Sequence, residues 1–265
     1  SIQDGSKKVL ELHYCKFFRL QYGRKGILGL IDRWRTWKDD FLVRRFDKFV
    51  VLTHEDRNYW GKLPNIEVIP NAAKNMSGHF SDVSAHRVIA VGRLDYQKGF
   101  DRLIQAWSLV QADGRFADWQ LDIFGQGEWK DMLQQMIDSR GLEGTVHINR
   151  PTNSIGDEYA KSSLIVMTSN YEGFGMVLVE AMACGVPAVS FDCKCGPRDI
   201  IRHGENGLLV KDGDIRGLAE AMMKVMGDDA YRKRLSGAAL NVVSTYSEEA
   251  VMGQWTRLFA SLVRE

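Results

Sequence analysis

The sequence predicts an α/β chain built on a doubly wound parallel sheet, and three observations carry that prediction. From residue 86 onward short apolar runs alternate with helical segments, glycine-containing polar loops follow several of the runs, and a helix near residues 176–184 is apolar everywhere except at Glu180. Parallel strands need crossover connections, which this alternation supplies. With 265 residues, 45% hydrophobic and 26% charged, the chain has material for one large or two small domains.

Residues 1–73 hold three short strands, at 8–13, 47–53 and 66–70, with a helix near 30–45 between the first two. So few strands leave a parallel sheet with open edges. This part is therefore expected to be a partial α/β domain, either completed by a partner or entered partway through. Residues 74–85, rich in Asn, Ser, Gly, His and Asp, read as a linker.

Residues 86–245 read as a complete Rossmann-like domain. Its strands fall at 86–91, 120–124, 145–148, 164–168, 187–191 and 208–210, and its helices from 100, at 129–139, 156–161, 176–184, 215–226 and 229–244. Phe100, Leu103, Ile104, Trp107 and Val110 keep the i, i+3, i+4, i+7 spacing of a buried helical face. Gly196-Pro197 and Asn206-Gly207 mark turns. Within 246–265, a helix at 248–263 ends the chain.

Composition narrows the function. No apolar run approaches the ~20 residues of a membrane span, and the signal-peptide pattern is lacking, which points to the cytoplasm. Cys15, Cys184, Cys193 and Cys195 form no Cys-x-x-Cys pairs, so neither a disulfide framework nor a structural zinc site is indicated. The neighbours Cys193 and Cys195 read as inert loop thiols rather than a redox pair. A net charge of +1 argues against bulk nucleic-acid binding. Residues 16–48 nevertheless carry ten Lys/Arg against four Asp, a local net of +6, mixed with Phe17, Phe18, Tyr22, Trp34, Trp37 and Phe41. That mixture suits an anionic membrane surface, as it suits a solvated helix face.

Ligands on doubly wound sheets sit at the carboxyl ends of the strands. There the sequence places Gly92-Arg93-Leu94-Asp95-Tyr96-Gln97-Lys98-Gly99, Gly125-Gln126-Gly127-Glu128 and Gly173-Phe174-Gly175, the last opening the helix from Met176. Free N–H groups at a helix start attract phosphate, and with Arg93 and Lys98 they would surround a diphosphate. Glu180 needs a partner if buried: the vicinal hydroxyls of a ribose, or an Arg or backbone amides of the core itself. Glu172 would face whatever lies beyond the phosphates.

These motifs, in this order, resemble the retaining nucleotide-sugar glycosyltransferases of family 4: Gly92-Arg93-Leu94 with Lys98-Gly99, the pair Glu172 and Glu180, and Pro70-Asn71 ahead of the linker. The resemblance spans essentially the whole chain. It implies the GT-B fold of two facing Rossmann-like domains, with the first part of the N-terminal domain missing here, and a last helix that packs back toward the N-terminal part. It further implies that Arg93 and Lys98 hold the donor diphosphate and stabilise it as it leaves, and that Glu180 binds the ribose. Glu172 contacts the transferred sugar, aided by the backbone of Gly173, Phe174, Gly175, Met176 and Val177. The base lies near Gly125 and Arg150, and His13 lies near the donor sugar. The loop Asp192 to Ile201 resembles the version found in enzymes that use UDP-hexoses.

The expected activity is transfer of a hexose from a nucleotide diphosphate sugar, UDP favoured, to a glycan or lipid-linked glycan with retention. No cofactor beyond the donor substrate and no metal is expected, and the expected site of action is the cytoplasm, including the inner face of the plasma membrane. The alternatives are a non-hydrolysing sugar-nucleotide epimerase and a truncated module that binds nucleotide without turnover. A Rossmann oxidoreductase lacks its Gly-x-Gly-x-x-Gly turn after residue 91, and no Walker motif occurs.

Overall fold

The computed structural model describes residues 4–22 and 25–264. Arg24 and the side chain of Tyr22, both in the basic stretch, lie outside what is described. Two parallel sheets organise the chain. The first has the order β1 (Val9–Glu11), β2 (Lys48–Val51), β3 (Ile66–Val68). Helix α1 (Gly26–Leu42) and a 3-10 turn at Val43–Arg45 join β1 to β2, so the expected helix starts earlier than residue 30. Helix α2 (His54–Trp60) joins β2 to β3 and was not legible in the pattern. Its buried residues are Asp56 and Trp60, one of them charged, which leaves no apolar stripe. What starts it is a cap: Thr53 Oγ1 accepts from the Asp56 N–H at 3.0 Å.

The second sheet contains β4 (Arg87–Val91), β5 (Gln120–Phe124), β6 (Val146–Asn149), β7 (Leu164–Met167), β8 (Ala188–Phe191) and β9 (Gly207–Val210). Its order is β6-β5-β4-β7-β8-β9, with every neighbour parallel. The order reverses between β4 and β7, which makes the carboxyl ends of those two strands the topological switch point. The connecting helices are α3 (Phe100–Ala112), α4 (Lys130–Asp138), α5 (Ile155–Ala160), α6 (Met176–Ala183) and α7 (Pro197–Ile200), a single turn where a turn was expected. After β9 come α8 (Ile215–Gly227), α9 (Asp229–Ala239), α10 (Val242–Tyr246) and α11 (Glu248–Arg264).

Helices cover both faces of this sheet. The stripe Phe100, Leu103, Ile104, Trp107 and Val110 is wholly buried with α8 residues such as Leu218 and Met222. Leu178, Val179 and Met182 of α6 fill the other face, against Val242 and Tyr246 of α10. The single helix expected over 229–244 is divided, because Asn241 and Val243 donate to carbonyls three residues back and tighten the chain between α9 and α10. Residues 74–85 are not a loose connector. The Ser81 N–H donates to Cys184 O at 2.8 Å, Ser81 Oγ to Ser162 O at 2.6 Å, and buried Arg232 donates to Val83 O at 2.9 Å.

The two sheets meet through directed contacts. Val251 and Leu258 of α11 pack on Val50 and Ile69 of the first sheet's lobe. The Asp199 carboxylate of α7 accepts from the His54 N–H at 2.7 Å and so caps α2 from across the interface. In return Glu55 of α2 accepts from the Cys195 N–H, just ahead of α7, at 2.9 Å.

Candidate active site

The loops that follow β4 and β7 lie in backbone contact at the switch point. Gly99 has φ +59, and a Cβ there would stand 2.4 Å from Thr168 O, so a side chain would force the loops apart. Gln97 ties them together: its carbonyl accepts from the Asn170 N–H at 2.7 Å, and its Nε2 donates to Tyr171 O at 3.2 Å. The same side chain's Oε1 accepts from Arg93 at 2.7 Å, which orients a guanidinium that is otherwise largely in solvent.

Lys98 runs under Gly92 and ends 2.6 Å from Glu172 Oε1, with the two side chains 16% and 7% exposed. Ser169 Oγ donates to the same carboxylate oxygen at 2.5 Å. The Glu172 backbone is fixed as well, its N–H donating to Lys194 O at 3.0 Å beside the Tyr171–Lys194 bridge. Two turns of chain thus hold one buried carboxylate against one cation. A pair so enclosed persists only with good geometry and additional hydrogen bonds, which Ser169 provides.

Helix α6 begins at Met176 after Gly175 at φ +97, with no side chain capping it. Its first N–H groups and the positive end of its dipole are therefore available to an anion. Phe174 turns inward and packs against Tyr246, ring centroids 5.4 Å apart, and its carbonyl lies against Gly196. Val177 and Met176 are half-buried on the apolar face beside β7.

Glu180 is half-buried rather than fully enclosed. Its partner is Tyr159, whose hydroxyl donates to Oε2 at 3.3 Å, and burial raises the carboxyl above its ordinary range despite that bond. The carboxylate borders a cavity of about 360 Å³ together with Gly92, Arg93, Gly125 and Thr152. A second cavity, of about 380 Å³, shares Gly125, Gln126 and Pro151 with the first and adds Asn149 and Arg150. The structure thus places Arg93, Gly125 and Glu180 around one cavity, and Gly125 and Arg150 around the neighbouring one.

His13 reaches the cleft from the other lobe. A Cβ on Gly173 would come within 2.4 Å of His13 O, so the turn carrying Glu172 touches the end of the first sheet's leading strand. The imidazole is 59% exposed, with Nε2 3.4 Å from Glu11. Among the expected inert thiols, Cys193 is buried and burial pushes it well up. Sequence reasoning missed Gln97, Ser169, Asn170 and Tyr159. Ser169 stands three residues from Glu172, the only signal it offered; Gln97, Asn170 and Tyr159 bond across gaps too long for pattern reading.

Cations and an uncapped helix start at the switch point of a parallel sheet, facing a second α/β lobe, define a GT-B architecture. Residues 73–242 match the family "Glycosyl transferases group 1", and the chain belongs to that family. It is 36% identical over 219 residues to the amylovoran biosynthesis glycosyltransferase AmsD of Erwinia amylovora, covering 79% of this chain and 61% of that protein. It is 35% identical over 223 residues to an exopolysaccharide phosphotransferase of Streptomyces coelicolor, covering 82% of this chain and 24% of that one. The chain therefore spans between about a quarter and three-fifths of the length of these relatives. Among solved structures, a TarM variant of S. aureus crystallised with UDP superposes with a TM-score of 0.82 at 26% identity, over 98% of this chain and 52% of that one.

Proposed function

We propose that the chain binds a UDP-hexose between its two lobes and transfers the hexose, with retention, to a glycan or lipid-linked glycan. The observation that supports this best is a cavity at the switch point lined by Arg93, Gly125 and Glu180, with the Lys98–Glu172 pair and the uncapped start of α6 on the adjoining loops. The diphosphate lies against Arg93, Lys98 and the N–H groups at the α6 start, and these stabilise its charge as the glycosidic bond breaks. Glu180 accepts from the ribose hydroxyls, and the base occupies the recess beside Gly125 and Arg150. Glu172, held by Lys98 and Ser169, orients the sugar, which His13 borders from the opposite lobe. Cations of the chain neutralise the leaving group, so the reading needs no metal in the cleft. Support for UDP comes from the TarM complex, and support for a glycan acceptor from the name of AmsD.

The test is calorimetric titration of the chain with UDP and GDP, with Glu180→Ala and Arg93→Ala beside it. The reading expects UDP to bind more tightly than GDP and both variants to bind it at least about tenfold more weakly, as loss of a charged hydrogen bond implies. Unchanged affinity in both variants refutes the site.

The residue 1–73 lobe is proposed to rest on an anionic membrane, such as the inner face of the plasma membrane. Helix α1 turns Asp32 and Thr36 inward and leaves Ile27, Leu30, Trp34, Trp37 and Phe41 exposed. Exposed Arg33, Arg35, Lys38, Arg44 and Arg45 flank them. An apolar strip bordered by cations matches the boundary between acidic headgroups and acyl chains. Among the described residues no helix is long and apolar enough to cross a membrane. Cosedimentation with phosphatidylglycerol vesicles, lost in the Trp34→Ser/Trp37→Ser variant and absent with phosphatidylcholine, is the expected result; equal binding by the variant refutes it.

A further inference from the structure

At the interface between the lobes, three side chains of metal-binding type meet from segments far apart in the chain. Cys15 follows β1, Asp56 lies on α2 and Cys195 lies between β8 and α7, and one donor atom from each falls within 4.8 Å of the other two. They are 1%, 2% and 0% exposed. Cys195 Sγ stands 3.9 Å from Asp56 Oδ1. In a tetrahedral zinc site, bond lengths of about 2.3 Å to sulfur and 2.0 Å to oxygen put the ligand atoms about 3.5–3.8 Å apart. The observed spacing is therefore close to what a bound ion would draw together, with little backbone movement.

We propose that Cys15, Asp56 and Cys195 bind a thiophilic divalent cation of the zinc type, which staples the two lobes together. Thiolate and carboxylate donors select such an ion over magnesium or calcium. The ion replaces the two thiol protons, which leave to solvent, and water completes the fourth position. Asp56 stays oriented because its oxygens already accept from the Lys16 N–H at 2.8 Å and from Trp60 Nε1 at 3.2 Å, the outer hydrogen bonding that fixes a ligating carboxylate.

The location gives the ion a consequence. Lys194, next to Cys195, holds the Glu172 N–H through its carbonyl at 3.0 Å. A staple at Cys195 thus limits movement of the loop that fixes Glu172. The metal site itself stands independently of the donor-site reading, since its ligands and its readout involve neither nucleotide nor sugar.

The experiment uses the full chain, purified reduced, stripped with a chelator, and titrated with Zn²⁺ and Co²⁺. We expect one equivalent to bind, a rise in melting temperature on adding Zn²⁺, and a near-ultraviolet thiolate-to-cobalt band. Cys15→Ser and Cys195→Ser should each reduce that band to about half, because each removes one of two thiolates, while Asp56→Asn should keep the band and weaken affinity at least about tenfold. Circular dichroism of the stripped variants checks that they fold. No band at stoichiometric Co²⁺, or a band unchanged in both serine variants, overturns the proposal. So does a thiol titration of denatured protein from a separate preparation made without reductant that finds two free thiols instead of four, a deficit lost in the Cys15→Ser variant, because Cys15 and Cys195 would then be a disulfide.

Discussion

The Lys98–Glu172 pair permits a prediction in which loss of either partner lowers stability while nucleotide affinity moves in opposite directions. At 2.6 Å, with both side chains mostly shielded, unit charges attract by about 6 kcal/mol at an effective dielectric constant of about 20. Desolvation offsets a large part of this, yet removing one partner strands the other, at a cost of about 3–5 kcal/mol. Lys98→Met is thus expected to lower stability by about that amount, since among the described residues the side chain of Glu172 then keeps the Ser169 hydroxyl alone. Glu172→Gln leaves a neutral amide and should cost less. The double variant should be more stable than the sum of the two changes by about 1–3 kcal/mol, measured from urea unfolding midpoints at pH 7.5. UDP titration supplies the second arm. Lys98→Met should weaken binding about tenfold to a hundredfold, whereas Glu172→Gln releases Lys98 to the phosphates and should strengthen it. Additivity within about 0.5 kcal/mol, together with weaker UDP binding in Glu172→Gln, would refute the reasoning.

Other perturbations test neighbouring contacts. Gly173→Ala places a Cβ 2.4 Å from His13 O and should cost about 1–3 kcal/mol, while Gly237→Ala, on α9 with no atom within 4 Å of its Cβ, should be neutral or stabilising; differential scanning fluorimetry compares them. Burial raises the Glu180 carboxyl, so its ionisation opposes folding above the ordinary value of 4.5. Glu180→Gln should therefore add stability that is absent below that pH and grows as pH rises through the raised folded value, visible in melting curves across pH 4–8, and an equal shift at all pH values contradicts it. Asp199→Ala removes the cross-interface cap of α2 and should cost about 1 kcal/mol, with faster amide exchange at His54 as its signature.

The second sheet was readable because its residues carry their instructions locally. The α3 stripe repeats at helical spacing and is buried as spaced, and Gly173-Phe174-Gly175 announces the start of α6. Glu172 and Glu180 stood out because each breaks an apolar or glycine-rich context. What escaped was set by distance along the chain. Helix α2 has a charged buried residue and is stabilised by a carboxylate from α7. Gln97 gains its meaning from Tyr171, Tyr159 from Glu180, and Cys15 from Cys195, none of which any local period connects. The basic stretch showed its charge in sequence, but only the fold shows that the aromatic side of α1 turns outward while Asp32 and Thr36 turn in.

The exchange of caps between α2 and α7 has a mechanical meaning. Carboxylates meeting backbone N–H groups are directional, so this contact cannot slide by fractions of an ångström as two oily surfaces can. Apolar packing of Val251 and Leu258 on Val50 and Ile69 holds the lobes together, and the carboxylate bonds select the register in which they meet. The register these bonds fix is also the one in which the Glu172 turn meets the end of β1, where a Cβ on Gly173 would stand 2.4 Å from His13 O.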